Sequence, residues 1–293
     1  MLVNAKDIVN PAKAGKYGIL AACPGSRDEI ACAIEAADEM NSPVILCNNP
    51  SMAVVNGLKK GTMSLKEFAE TVEYFCTRHP NVPVAMCLDH GYALETGIEA
   101  IRAGFTLIMI DRSMETLEQN IAALKEFVPI AHGMNCAVEA ALGGTEWRDP
   151  TPEEILAHMT KPEEMKRLVD ETGADSVCVF VGGSHGDHKD GSQVLHYDLI
   201  EQLRDCSPAW LAMHGCSFVK EERLKESCYH GLSKFNVAGD LAFGSCREVQ
   251  ETIDAKGNPN AVELAIAVRE GYKRRCKEMI KAFESDNKIG GTK

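Results

Sequence analysis

Nowhere in the 293 residues is there an apolar run approaching the ~18 that a membrane span needs. The start, MLVNAKDIVNPAKAGKYG, lacks the basic stretch followed by an apolar one that marks a secretory leader. These two absences lead us to expect a cytoplasmic protein that does not enter a membrane. Positive charge is scarce as well: 31 basic against 43 acidic side chains leave a formal net charge of −12, the wrong sign for neutralising nucleic-acid phosphates. No C-x-x-C pair occurs among the 12 cysteines, so the usual spacing of zinc and redox motifs is missing. Several thiols sit in apolar runs, as Cys47 does in VILC and Cys178 in VCVF, and read as small buried hydrophobes of a reducing compartment. No Gly/Ser-rich or Pro-rich linker divides a chain whose length, at ~150 residues per domain, would otherwise suggest two.

What is present is a regular alternation. With 45% hydrophobic and 25% charged residues the composition is that of an ordinary globular protein. Eight short apolar runs recur along it: YGILAAC (17–23), PVILC (43–47), VPVAMCL (82–88), TLIMI (106–110), NCAVEAAL (135–142), DSVCVFV (175–181), AWLAM (209–213) and LSKFNV (232–237). Each has the length of a strand buried on both faces of a parallel sheet. Amphipathic stretches follow them, with helix starts at Ser26, Ser64 and Ser113. Eight parallel strands with right-handed crossovers close on themselves, so the pattern predicts an α/β fold, a single (β/α)8 TIM barrel over residues 1–285. An extended C-terminal helix, about 261–284, and a polar tail, 286–293, complete it. The segment 143–162 is the longest connection with mixed signals and suits a mobile loop.

Barrels of this kind carry their chemistry just beyond the C-terminal ends of the strands. There the sequence places Asp89-His90-Gly91 after the third run, Asp111-Arg112-Ser113 after the fourth, Glu139 within the fifth, Gly182-Gly183-Ser184-His185-Gly186 after the sixth and His214-Gly215-Cys216-Ser217 after the seventh. Three imidazoles converging from different strands, with a fourth position open, make the ligand set of a catalytic zinc. Each of the three precedes a glycine, which lets backbone approach a ligand closely. His79, His132, His158 and His230 lie on or beside helices and read as surface residues; His188, three positions after His185, competes as a ligand, and His196 stays open.

The strings CLDHG, GIEAIRAGFTLIMIDRS, VEAALGG, TKPEEMKRLVDETGADSVCVFVGGSHG, LAMHG and LSKFNVAGDL, in this order and spacing, closely resemble the class II, zinc-dependent ketose-bisphosphate (fructose-bisphosphate) aldolase family over nearly the whole chain. The resemblance implies zinc held by His90, His185 and His214, with Asp89 moving the proton of the C4 hydroxyl and aldehyde oxygen. In that family the metal polarises the ketose carbonyl and stabilises an enediolate after the C3–C4 bond breaks. No Schiff-base lysine is then needed, and no lysine ends a strand here. Asp111 and Glu139 match acidic positions used as alternative ligands or as partners that orient the histidines, and Glu146 matches a loop glutamate that moves the proton at the enediolate carbon. A monovalent cation and a homodimer or homotetramer are further family features.

Departures fall on the substrate side. Of the family's phosphate loops, Gly186, Gly215, Ser217 and Asn236 remain, whereas Cys216 and Phe218 replace glycines and Ala238-Gly239 replace a polar pair. Backbone N–H groups can still bind phosphate there. Arg112 stands where the family has glycine and offers a guanidinium to a carboxylate, sulfonate or phosphate, unless it pairs with Asp111 or another rim acid. Asn48 stands where the family tends to carry serine, and CPGSRDE replaces an expected Phe-Asn. The expectation is an aldolase for a ketose phosphate or related sugar acid, diverged from fructose 1,6-bisphosphate. A non-catalytic partner subunit of an aldolase and a metal-dependent epimerase are the other readings.

Overall fold

A computed structural model describes residues 1–50, 54–55, 58–59, 63–144, 151–185 and 193–289. Each of the eight apolar runs forms a strand: β1 (Ile19–Ala22), β2 (Val44–Asn48), β3 (Val84–Gly91), β4 (Leu107–Ile110), β5 (Ala137–Leu142), β6 (Ser176–Val179), β7 (Trp210–Met213) and β8 (Leu232–Val237). All neighbours are parallel and follow chain order, and β8 returns to β1 with Ile19 opposite Lys234 and Ala22 opposite Val237, which closes the barrel. A short antiparallel pair, Val54–Val55 with Leu58–Lys59, lies between β2 and the next helix.

Helices α1 (Ala5–Gly15), α2 (Arg27–Glu39), α3 (Leu65–Arg78), α4 (Leu94–Ala103), α5 (Leu117–Gly133), α6 (Pro152–Ala157), α7 (Pro162–Thr172), α8 (Tyr197–Cys206), α9 (Glu221–His230), α10 (Gly239–Lys256) and α11 (Ala261–Ala282) complete the described chain. Ser26 and Ser64 cap α2 and α3 as anticipated, their hydroxyls accepting from Glu29 N and Glu67 N. The third cap is Thr116 instead of Ser113. Thr116 and Gln119 form a reciprocal capping box, and this fixes the start of α5 three residues later than expected. None of these helices is long and apolar enough to cross a membrane.

Helix α1 has its own capping box, Asn4 with Asp7. It closes the base of the barrel. Ile8, Val9 and Ala12 pack with Ile19, Ala21, Ile45, Ala85, Leu107, Ala137 and Trp210, the inward residues at the lower strand ends. The Trp210 indole donates to Asn10 Oδ1 at 2.7 Å. Just before β1, Gly18 N donates to Phe283 O at 2.8 Å, so the beginning of the chain is bonded to its far end. Outside the barrel a larger apolar layer joins the other strand faces to the helices. Helix α11 packs on α10 and α2, and Asn287, Lys288 and Ile289 donate backbone N–H groups to Met40 and Asn41.

Candidate active site

Strand periodicity puts every second side chain into the barrel, so each strand supplies an inward column whose top lies buried beneath the mouth. Leu107 and Met109 lead to Asp111, Ala85 and Cys87 to Asp89, Trp210 and Ala212 to His214, and Lys234 to Asn236. His90 would face outward by this rule. The register of β3 shifts between Leu88 and Gly91, and His90 adopts φ 53°, a left-handed conformation that turns its ring inward beside Asp89.

The side chains meet in one buried network. His90 Nδ1 lies 2.6 Å from Asp111 Oδ2, and His214 Nε2 lies 3.4 Å from Glu139 Oε1. Carboxylates accept hydrogen bonds, so these contacts assign the protons to His90 Nδ1 and His214 Nε2. The lone pairs of His90 Nε2 and His214 Nδ1 then face each other across 2.9 Å. Two facing lone pairs repel unless a cation stands against both. His185 completes the set, with one nitrogen from each of the three rings within 4.8 Å of the others. The donor chemistry therefore fits a metal ion with three imidazole ligands and room for substrate.

Asp89, almost fully buried, lies beside this cluster, its Oδ1 3.8 Å from His214 Nε2 and 4.0 Å from His90 Nε2. Asn236 Nδ2 donates to Asp89 Oδ1 at 2.8 Å, and Asn49 Nδ2 reaches Asp89 Oδ2 at 3.4 Å. Burial would raise the Asp89 pKa, but His90, His214 and Lys234 hold it below the usual carboxylate range. Glu139 has no exposed surface. Burial pushes its pKa up while the Lys234 ammonium and His214 pull it down, to about 2. Its other oxygen accepts from Ser176 Oγ at 2.8 Å. Lys234 Nζ spans Glu139 Oε1 at 2.9 Å and Asn236 Oδ1 at 2.7 Å; Glu139 outweighs the cost of burial and keeps the ammonium charged.

Around the rim the remaining candidates separate. Arg112 pairs with Glu115 at 2.6 Å, so the rim acid that meets it is Glu115 and not Asp111. The Asn48 amide donates to Met63 O, which leaves Asn49 as the asparagine beside Asp89. Gly215, at φ 67°, lets the loop after β7 lie on the loop after β6, since a Cβ there would come within 2.5 Å of the Ser184 carbonyl carbon. Gln193 links the same loops, accepting from Ser184 N and donating to Ser217 O. Ser217 Oγ accepts from Asp240 N in the first turn of α10, next to Ala238 and Gly239. Cys216 is buried, its thiol on Met213 O. Glu146, Gly186 and His188 lie outside the described residues. All twelve cysteines are free, and nine are buried.

Sequence reading passed over Lys234, Asn49 and Cys23, whose thiol lies 3.8 Å from Asp89 Oδ2. The signal was available for Lys234: a lysine inside a run meant for burial is an anomaly that calls for a buried partner.

Comparison with known proteins agrees with this fold. The family model for fructose-bisphosphate aldolase class-II matches residues 3–288. The fructose-bisphosphate aldolase of Thermus caldophilus is 32% identical over 278 residues, covering 86% of this chain and 88% of the relative. Among solved structures, the YdjI aldolase of Escherichia coli K12 superposes with a TM-score of 0.83 at 27% identity, covering 99% of this chain and 100% of that one. The fructose-bisphosphate aldolase of Campylobacter jejuni shares the fold, with a TM-score of 0.79 at 22% identity over 98% of this chain and 97% of its own. A closed parallel barrel with a three-histidine cluster at its mouth defines a TIM barrel with a candidate metal centre. The chain belongs to the class II fructose-bisphosphate aldolase family, and its activity is that of an aldehyde-lyase.

Proposed function

We propose that the protein is a zinc-dependent aldolase that cleaves, or in reverse condenses, a ketose phosphate or related sugar acid. The observation that carries this reading is the pair of histidine nitrogens facing each other at 2.9 Å while Asp111 and Glu139 hold their opposite nitrogens. His90, His185 and His214 would hold the ion, and Asp111 and Glu139 serve better as orienting partners than as ligands, because their oxygens are already engaged. Zinc, when bound, supplies a Lewis acid for the ketose carbonyl. Asp89 takes the proton from the C4 hydroxyl as the C3–C4 bond breaks and returns one in the condensation direction. Its depressed pKa keeps it ionised and ready to accept. Asn236 and Asn49 hold its oxygens in place. Glu146 is the proposed carrier of the second proton.

Ser217 Oγ already accepts from the first turn of α10 beside Ala238 and Gly239, and a helix start of this kind favours a phosphate, with Gly186 and Gly215 as the further proposed contacts. Cys216 and Phe218 remove the flexibility of two family glycines, and Arg112 adds a cation at the rim. These differences support a substrate other than fructose 1,6-bisphosphate, with an anionic group within reach of Arg112. The exposed Val262 and Ile266 of α11 support association of copies into a homodimer or homotetramer.

Metal analysis of the purified protein, with cleavage of a panel of ketose mono- and bisphosphates and unphosphorylated sugar acids with and without chelator, tests the reading. One equivalent of zinc and chelator-sensitive aldehyde release are expected. Aldehyde release that survives complete metal removal would overturn the mechanism.

A further inference from the structure

Lys234 occupies the middle of β8 with no surface exposed to solvent. An ammonium persists inside a barrel only when paired and hydrogen-bonded. Glu139 alone would satisfy the charge. The second partner, Asn236, carries more information, because an amide can present either end to a neighbour. Lys234 only donates, so the contact of 2.7 Å fixes the Asn236 oxygen toward Nζ. The amide nitrogen must then face Asp89, and it lies 2.8 Å from Oδ1. On the other side, Glu139 presents the same Oε1 to Lys234 and to His214 Nε2.

We infer that Lys234 is a positioning residue: one buried ammonium orients the Asn236 amide onto Asp89 and the Glu139 carboxylate onto His214. The proton carrier and a metal-binding histidine are thereby aligned by a group that touches neither. The inference rests on the roles given above to Asp89 and His214. It differs from a plain structural ion pair, which would require only that Glu139 be neutralised.

The two accounts separate in the zinc-loaded, full-length enzyme. Lys234→Met leaves Glu139 buried and unpaired, and is expected to lower both the melting temperature and kcat. The double variant Lys234→Met/Glu139→Gln removes both charges and keeps an acceptor for His214, so its melting temperature is expected to return close to that of the parent. Its kcat should nevertheless stay about 100-fold down, the order of loss expected from a misplaced catalytic group. KM should change by less than about threefold, because the groups displaced act on the reacting bond more than on binding. Metal content, read by a chromophoric chelator, should remain at one equivalent. If the double variant regains kcat together with stability, or if Lys234→Met alone keeps kcat, Lys234 is a structural partner of Glu139 and the inference falls. Asp89→Asn assayed alongside keeps the two failures apart. An active Asp89→Asn removes the role given to Asp89; an inactive one beside an active double variant removes only that of Lys234.

Discussion

The interior network and the rim loops of this barrel are built differently. Inside, Asp89, His90, Asp111, Glu139, His214, Lys234 and Asn236 come from five different strands and bond to one another. At the rim, Arg112 bonds to Glu115 three residues on, and Asn48 to Met63 in the connection that follows it. The interior is thus fixed by the register of the whole barrel, while parts of the rim are fixed by local turns. A substitution inside disturbs several elements at once. A change in a rim turn is expected to leave the three-histidine cluster as it was, which is the separation that the proposed divergence of substrate requires.

Perturbations of decreasing size sharpen this contrast. Removing the metal should depress cleavage by about four orders of magnitude, the equivalent of several kcal/mol of charge stabilisation, with recovery on adding zinc; aldehyde trapping measures both. Asp89→Asn should cost kcat about 10²–10³-fold, the usual worth of a positioned proton carrier, with zinc still bound. Asp111→Ala should weaken metal affinity by about 10–100-fold, and saturating zinc should recover much of the rate. Arg112→Met should raise KM for an anionic substrate about tenfold and leave zinc affinity untouched. If Arg112→Met instead loosened the metal, the separation of rim from interior would be wrong.

The last perturbation has no effect at neutral pH. Glu139 titrates near 2 in the folded protein, below the ordinary carboxylate value of about 4.3 in the unfolded chain. Its contribution to stability is therefore complete above about pH 4.3 and is lost as pH falls toward 2. Melting curves across that window should show the parent losing stability more steeply than Glu139→Gln, which cannot titrate there.

Much of this was legible in the sequence for identifiable reasons. Eight strands follow from eight apolar runs because a parallel barrel buries both faces of every strand. Asp111 and His214 continue the inward columns of their strands. His90 breaks the alternation; its place after the third run and the resemblance to the aldolase family pointed to it, since a register shift leaves no periodic trace. Thr116 outcompetes Ser113 through a reciprocal bond with Gln119 that a single-residue cap signal does not convey. Which asparagine of Asn48-Asn49 reaches Asp89 depends on strand parity at the very end of β2, and the sequence marks that boundary only loosely.

The closure of the barrel also has a consequence for how the chain is made. β1 pairs with β8, α1 is held by Trp210, and Gly18 is bonded to Phe283. As the chain leaves the ribosome, its first strand therefore waits for more than two hundred residues with one edge unmatched. Products of premature termination would carry that open edge permanently, and would be the species on which aggregation and quality control act.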